Sequence, residues 1–235
     1  MRMKPLFVLM MLLSFNVGAW ERDHEPAFKM NAAKMKEISA ESVTNFVKYA
    51  IVKDWSEYFT KEYLDSPDNS FFTSSTGGVI DLNEDGVDDF VFIIPWNSCG
   101  ISGAMSYVYF IVSDSKGGWW ETRISGYYVE MSDLVEISGK VYFRASDLWE
   151  HKFEKSNHNH WLYQIFAFDK NGSIRVANDK VGFSFPAVTI FYYAPKFKQI
   201  ELTENDRKEI ARRTAIELGK TKFLGPIPKL KSGNM

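Results

Sequence analysis

The chain is poor in cysteine: Cys99 is the only one among 235 residues. A single thiol cannot form an intramolecular disulfide, which excludes a disulfide scaffold and leaves stability to a packed core. Hydrophobic residues make up 45% and aromatic residues 16% of the chain. This composition is typical of a globular protein and excludes intrinsic disorder.

A strong charge of one sign is also missing. The formal net charge is −2 at pH 7, so the chain does not have the basic excess of proteins whose main partner is nucleic acid. The one local excess lies in residues 207–231, where eight basic residues stand against Glu209 and Glu217. This segment favours either an acidic partner or anionic lipid, or a solvated helix face and tail.

Only residues 6–15 form a long apolar run, and about ten residues are too few for a bilayer, which needs about 20. Arg2 and Lys4 precede the run, and Val17-Gly18-Ala19 follows it, as in a secretory signal peptide. We therefore expect a signal peptide over residues 1–19 and a periplasmic or secreted protein that is not transmembrane once processed. The alternative is an uncleaved N-terminal anchor.

Familiar catalytic motifs are missing as well: there is no G-x-S-x-G, no H-E-x-x-H and no P-loop. Cys99 is a candidate nucleophile for a cell-envelope hydrolase, with His151, His158 or His160 as its base. It lies between two predicted strands rather than at a helix start, which favours an inert loop thiol. We therefore predict that the protein is not an enzyme.

The histidines have a second interpretation. His158 and His160 are two residues apart, a spacing that aims both rings to one side of a strand. With His151 or Glu154 they form a candidate transition-metal site. The polar segment around them, residues 151–160, is equally typical of a hairpin loop with solvated histidines.

The hydrophobic period changes along the chain. From Val43 onward apolar residues recur at i, i+3 and i+4, which predicts an amphipathic helix with Ser39 as its N-cap. Residues 71–193 hold about eight short apolar or alternating runs between tight turns, which predicts antiparallel strands. Thr203 opens a capping box, which predicts a second helix that ends at Gly219.

The predicted fold class is therefore α+β, with an antiparallel β-meander sheet packed by an N-terminal and a C-terminal helix. We expect a flexible arm over residues 20–38, a single domain over 39–224 and a tail over 225–235. Lys170-Asn171-Gly172 predicts a type I′ turn between two of the strands.

One loop in the strand region carries oxygen-bearing side chains at alternate positions and a glycine at position 6. A hard cation such as Ca²⁺ takes six to eight oxygens at about 2.3–2.6 Å, and such a loop supplies them. Gly86 permits the sharp bend because it has no Cβ. The predicted calcium ligands are the side chains of Asp81, Asn83, Asp85 and Asp89 and the carbonyl of Val87.

An EF-hand would place a glutamate at position 12 of this loop, but that position is Phe92, in a predicted strand. The loop instead resembles the D-x-N-x-D-G-x-x-D loop of FG-GAP and VCBS calcium-binding β-repeats. The resemblance implies an exported protein in which calcium clamps a hairpin. It covers about ten residues of the 235 and occurs once, without the tandem copies of those families.

From these features we predict an exported, non-catalytic calcium-binding protein that binds and neutralises a protein partner. The role we expect is that of an immunity or inhibitor protein against an antibacterial secreted effector. The alternatives are the Cys99 hydrolase and a carbohydrate- or peptidoglycan-binding module. The hypothesis of a carbohydrate- or peptidoglycan-binding module rests on the surplus of tryptophan, because aromatic side chains line sugar-binding surfaces. The tryptophans of the β-region are Trp96, Trp119, Trp120, Trp149 and Trp161.

Overall fold

The computed structural model describes residues 30–55, 73–96, 105–149, 152–156, 159–178, 186–190 and 200–226. These residues form two helices, eleven strands and one 3-10 turn. The helices are α1 (Ala40–Trp55) and α2 (Glu204–Leu218), and the 3-10 turn is Met131–Asp133. The strands are β1 (Lys36–Glu37), β2 (Thr76–Ile80), β3 (Asp89–Pro95), β4 (Met105–Ser113), β5 (Trp119–Tyr127), β6 (Leu134–Ile137), β7 (Lys140–Trp149), β8 (His160–Phe168), β9 (Ile174–Val176), β10 (Ala187–Ile190) and β11 (Lys222–Gly225).

The predicted α+β class with antiparallel strands is confirmed, and the strands are divided between two sheets. The first sheet has the order β1-β2-β3-β4-β5-β11, in which β2 to β5 form a meander. The second sheet has the order β10-β8-β7-β6, with β9 also paired to β8. All the pairings between these strands are antiparallel.

The main core lies between the two sheets. Phe110 of β4 is fully buried there, with its ring centroid 4.9 Å from that of Phe143 and 5.0 Å from that of Phe168. Alternate residues of the facing strands supply the rest of this core, because side chains on a strand alternate between its two faces. Leu82, from the predicted calcium loop, is buried in the same core and anchors the loop to it.

Helix α1 covers the outer face of the first sheet. Its fully buried residues, Val47, Ala50 and Ile51, follow the helical period and pack on alternate residues of β3 and β4. As predicted, Ser39 caps the helix: its Oγ accepts a hydrogen bond from the backbone N–H of Ser42 at 3.1 Å.

Helix α2 packs on the domain through a narrow stripe of side chains, in which Asp206, Ile210 and Thr214 are buried. The predicted capping box is present, because Thr203 accepts from the N–H of Asp206 and the Asp206 carboxylate accepts from the N–H of Thr203. Gly219 ends the helix as predicted, with φ of −64°, in the right-handed region.

Both predicted ends of the domain need correction. Residues 30–38 of the predicted flexible arm belong to the fold: β1 pairs with β2, and the N–H of Ala33 donates to the carbonyl of Leu134 at 2.8 Å. At the other end, Gly225 lies in β11 rather than in the tail. Both edge strands are short, with two residues in β1 and four in β11, so neither is long enough to show the alternation on which the prediction of strands relied.

The type I′ turn was predicted at the wrong hairpin. Ser138 and Gly139 both have positive φ, 53° and 77°, as a type I′ turn requires, and they join β6 to β7. At the predicted place only Gly172 has positive φ, and its N–H donates to the carbonyl of Asp169 at 2.8 Å. That turn is of type I followed by a left-handed glycine.

Candidate calcium loop

The predicted calcium loop joins β2 to β3 at one end of the first sheet. Ile80 pairs with Asp89, so the two ends of the loop lie side by side. Glu84 and Gly86 have φ of 60° and 85°, and these two left-handed residues turn the loop within a few residues. Phe92, at the position where an EF-hand would need a glutamate, pairs with Tyr109 inside the sheet.

Asp89 is the buried centre of the loop. Its Oδ2 accepts a hydrogen bond from the N–H of Leu82 at 2.8 Å, and its Oδ1 accepts from the N–H of Ser113 at 2.7 Å. Burial raises the pKa of the Asp89 carboxyl to about 7; hydrogen bonds from Ser113 and Leu82 act in the opposite direction, and the nearby Asp85 raises it further. The protein alone therefore compensates this buried charge poorly.

The other three predicted side chains wrap around the backbone of the loop. Asp81 accepts from the N–H groups of Asp85 at 3.2 Å and Gly86 at 2.9 Å. Asn83, also buried, accepts from the N–H of Asp85 at 3.3 Å, and Asp85 accepts from the N–H of Val87 at 2.8 Å. The structure thus brings the four side chains together in one hydrogen-bonded loop.

Ser113 at the end of β4 is a member of this site that the sequence did not reveal. Its backbone carbonyl accepts from Asn83 Nδ2 at 2.8 Å, and its Oγ lies 2.7 Å from Asp85 Oδ2 and 2.9 Å from Asp89 Oδ1. A hydroxyl has one proton, so it can donate to only one of the two carboxylates at a time. No local pattern around Ser113 signals this role, since only the pairing of β4 with β3 places the serine beside the loop.

The charges of the loop fall into an outer and an inner set. Glu84 and Asp88 point outward, where Glu84 pairs with Lys140 at 2.9 Å and Asp88 pairs with Lys36 at 2.6 Å. The inner set consists of the carboxylates of Asp81, Asp85 and Asp89. In the described part of the chain, no basic side chain forms an ion pair with any of these three.

The donor set fits a hard cation by chemistry and by charge, since it contains only oxygen and carries three carboxylates with no ion-pair partner among the described residues. Within the described ranges, no three His, Cys, Asp or Glu side chains are grouped as in a formed metal site. The carboxylates of the loop instead accept its own N–H groups. Each carboxylate oxygen has two lone pairs, so these hydrogen bonds leave further acceptor positions on the same side chains.

The histidine and cysteine hypotheses fall mostly outside the described residues, which do not include Cys99, His151 or His158. His160 begins β8 and is fully buried, not solvated in a loop. Its Nε2 lies 2.9 Å from Ser156 Oγ, and its ring packs edge-on against Phe153 at 5.0 Å. These contacts describe a core histidine.

The tryptophans of the β-region contribute mainly to packing. Trp149 is 6% exposed, and Trp96, Trp119, Trp120 and Trp161 are half-buried. Trp161, for example, makes edge contacts with the rings of Tyr127 and Tyr128. None of the five presents the fully exposed ring that a flat sugar-binding surface would use.

Comparison of the chain with protein-family models, with curated proteins and with solved structures gives no match. The described helices include none that is long and apolar enough to cross a membrane.

Proposed function

We propose that this chain is an exported, non-catalytic binding protein whose loop 81–89 holds one Ca²⁺ ion. The observation that carries the calcium proposal is the inner set of carboxylates, Asp81, Asp85 and Asp89, which belong to one hydrogen-bonded loop and have no basic partner among the described residues. Asp81, Asn83, Asp85, Asp89 and the carbonyl of Val87 would hold the ion. Bound calcium would supply the positive charge that the loop does not have.

Calcium in this loop would stiffen the end of the sandwich at which turns from both sheets meet. The N–H of Ser115, in the β4–β5 turn, donates to the carbonyl of Lys170, in the β8–β9 turn, at 3.2 Å. Glu84 of the loop pairs with Lys140, next to the β6–β7 turn. A rigid surface made of several loops is well suited to protein recognition, because little conformational freedom is lost on binding.

The partner we propose is a protein, namely an antibacterial secreted effector that this chain neutralises as an immunity protein. The predicted signal peptide would place the chain where such an effector arrives. The turns of the loop-bearing end would form the contact surface, and calcium would act by keeping them in place. The role needs no catalytic group.

The test is capture of the partner from the periplasm of the source strain, with the tagged full chain as bait. In the presence of Ca²⁺ the wild-type protein should recover one effector protein, and the Asp85→Asn variant should recover less of it. Asp88→Asn is the matched control, because it makes the same charge change in the same loop at an outward-pointing residue. Deletion of the gene should make cells sensitive to killing by sibling cells.

Failure of the wild-type bait to recover any protein, together with unchanged sensitivity of the deletion strain, would contradict the immunity role. If Asp85→Asn recovered as much of the effector as the wild type does, the proposed role of calcium in partner binding would be contradicted.

A further inference from the structure

A cavity of about 420 Å³ lies between α2 and the strands β5, β7 and β8. It is separate from the calcium loop, since its lining includes neither Ser113 nor any residue from 81 to 89. Cavities of about 300–1,000 Å³ are the usual size of small-molecule sites. The side chains that line this one indicate what kind of molecule it would take.

The floor of the cavity is apolar. Leu162 and Phe166 of β8 are 2% and 3% exposed, and Ile124 and Ala145 lie beside them on the facing strands. Ile216 of α2 stands at the rim and is 55% exposed, although it is a large aliphatic residue. Burial of this surface by the apolar part of a ligand would be favourable, at about 25 cal/mol for each Å² removed from water.

A buried amide faces this apolar floor. Gln164 lines the cavity and is 8% exposed, and its Oε1 lies 3.1 Å from Thr214 Oγ1, whose single proton is shared between Gln164 and the carbonyl of Ile210 at 2.9 Å. Its Nε2 has no hydrogen-bond partner among the residues that the structure describes. The Nε2 group is open to the cavity rather than sealed in the core, so it can donate to a ligand there.

A fixed guanidinium forms one wall. Arg213 lies over the Trp149 ring, with 5.3 Å from Cζ to the ring centroid, and its Nε donates to Glu209 at 2.6 Å. Arg212 binds the same carboxylate through Nε and Nη2, at 2.8 and 2.7 Å. One carboxylate therefore faces two guanidinium groups, which leaves a positive charge at the cavity. The Nη1 and Nη2 groups of Arg213 make no hydrogen bond to any described residue.

The two acidic residues of the lining limit what the positive charge would attract. Glu217 is already bound by Lys220, at 2.8 Å, and so cancels little of the charge on Arg213. Asp147 also lines the cavity and would repel a doubly charged anion. Counted together, these charges sum to zero, so the attraction is local to the Arg213 Nη groups, and one carboxylate is enough to occupy them.

We propose that this cavity binds a small molecule that has one carboxylate and an apolar body. The Arg213 Nη groups and Gln164 Nε2 would donate hydrogen bonds to the carboxylate, and the apolar body would lie on Leu162 and Phe166. Trp149 and Glu209 hold the guanidinium in place before the ligand arrives, which lowers the conformational cost of binding.

The test is an NMR titration of the ¹⁵N-labelled full chain with N-acetylphenylalanine and with its uncharged amide. We expect saturable shifts at residues of the cavity with the carboxylate. The amide and inorganic phosphate should bind at least about tenfold more weakly, because each loses or misplaces a charged hydrogen bond. No binding of the carboxylate probe, or equal binding of acid and amide, would overturn the proposal.

Two pairs of variants locate the site. Arg213→Gln should weaken binding of N-acetylphenylalanine about tenfold or more, while Arg207→Gln, on the exposed side of the same helix, should leave it unchanged. Ile216→Glu adds a negative charge at the exposed rim without disturbing the core, and should also weaken binding; its control is Ala215→Glu, which lies outside the lining. Unchanged affinity in both Arg213→Gln and Ile216→Glu would overturn the assignment to this cavity.

Discussion

Replacement of Lys53 by methionine is expected to lower the free energy of unfolding by about 3 kcal/mol. Lys53 Nζ forms an ion pair with Glu121 Oε1 beneath the C-terminal end of α1. The Glu121 side chain is 5% exposed, and its Oε2 has no hydrogen-bond partner in the described part of the chain. The variant would leave a buried carboxylate without its cation, which is the costly way to break such a pair.

The double variant Lys53→Met/Glu121→Leu separates the cost of the stranded charge from the value of the pair. It should recover most of the lost stability, because two apolar side chains of similar size can replace a buried ion pair at little cost. Lys48→Met, at an exposed position of the same helix, is the control and should change stability by less than about 0.5 kcal/mol. Urea denaturation measures all three variants. A loss below about 1 kcal/mol in Lys53→Met would contradict this account of how α1 is held on the sheet.

Replacement of Asp89 by alanine is expected to destabilise the protein by about 2–3 kcal/mol even when calcium is absent. The variant removes the acceptor for two backbone N–H groups, those of Leu82 and Ser113. A buried donor left without a partner costs about 1–3 kcal/mol. Removal of a buried carboxylate whose pKa is raised by burial offsets part of this cost, which is why the estimate lies below the sum of two such losses.

Asp114→Ala is the matched control for Asp89→Ala. Asp114 also accepts hydrogen bonds from two backbone N–H groups, an exposed one from Lys116 and a partly buried one from Gly118, so water can replace it more readily than it can replace Asp89. Its effect should be below about 1 kcal/mol. Urea denaturation in EDTA measures both variants without any contribution from calcium. Equal losses in the two variants would show that burial of Asp89 is not what makes its hydrogen bonds important.

The sequence predicted those parts of the fold and of the site that depend on neighbouring residues. The Ser39 cap and the Thr203 capping box are local patterns, and the structure confirms both; loop 81–89 joins two paired strands, while its binding of calcium stays a prediction. The α+β class with antiparallel strands followed from short strands joined by tight turns.

The parts that could not be predicted depend on pairing between distant segments. Ser113 lies 24 residues from Asp89 in the chain and reaches it only because β4 pairs with β3. The edge strand β11 follows α2 in the chain and pairs with β5, although its sequence does not alternate between apolar and polar residues as a predicted strand would. The cavity beside Arg213 exists because α2 packs on three strands of both sheets, an arrangement that no local pattern encodes.

We propose that loop 81–89 holds one calcium ion through its inner carboxylates. The most direct measurement is calorimetric titration of the chelator-treated full chain with CaCl₂, for the wild type, Asp85→Asn and Asp88→Asn. We predict one ion for each wild-type chain, similar affinity in Asp88→Asn, and at least about tenfold weaker binding in Asp85→Asn. At a free calcium concentration of 100 times the dissociation constant, the ion should add about 2.7 kcal/mol to the stability of the wild type. Absence of calcium binding by the wild type, or equal weakening in the two variants, would contradict the claim.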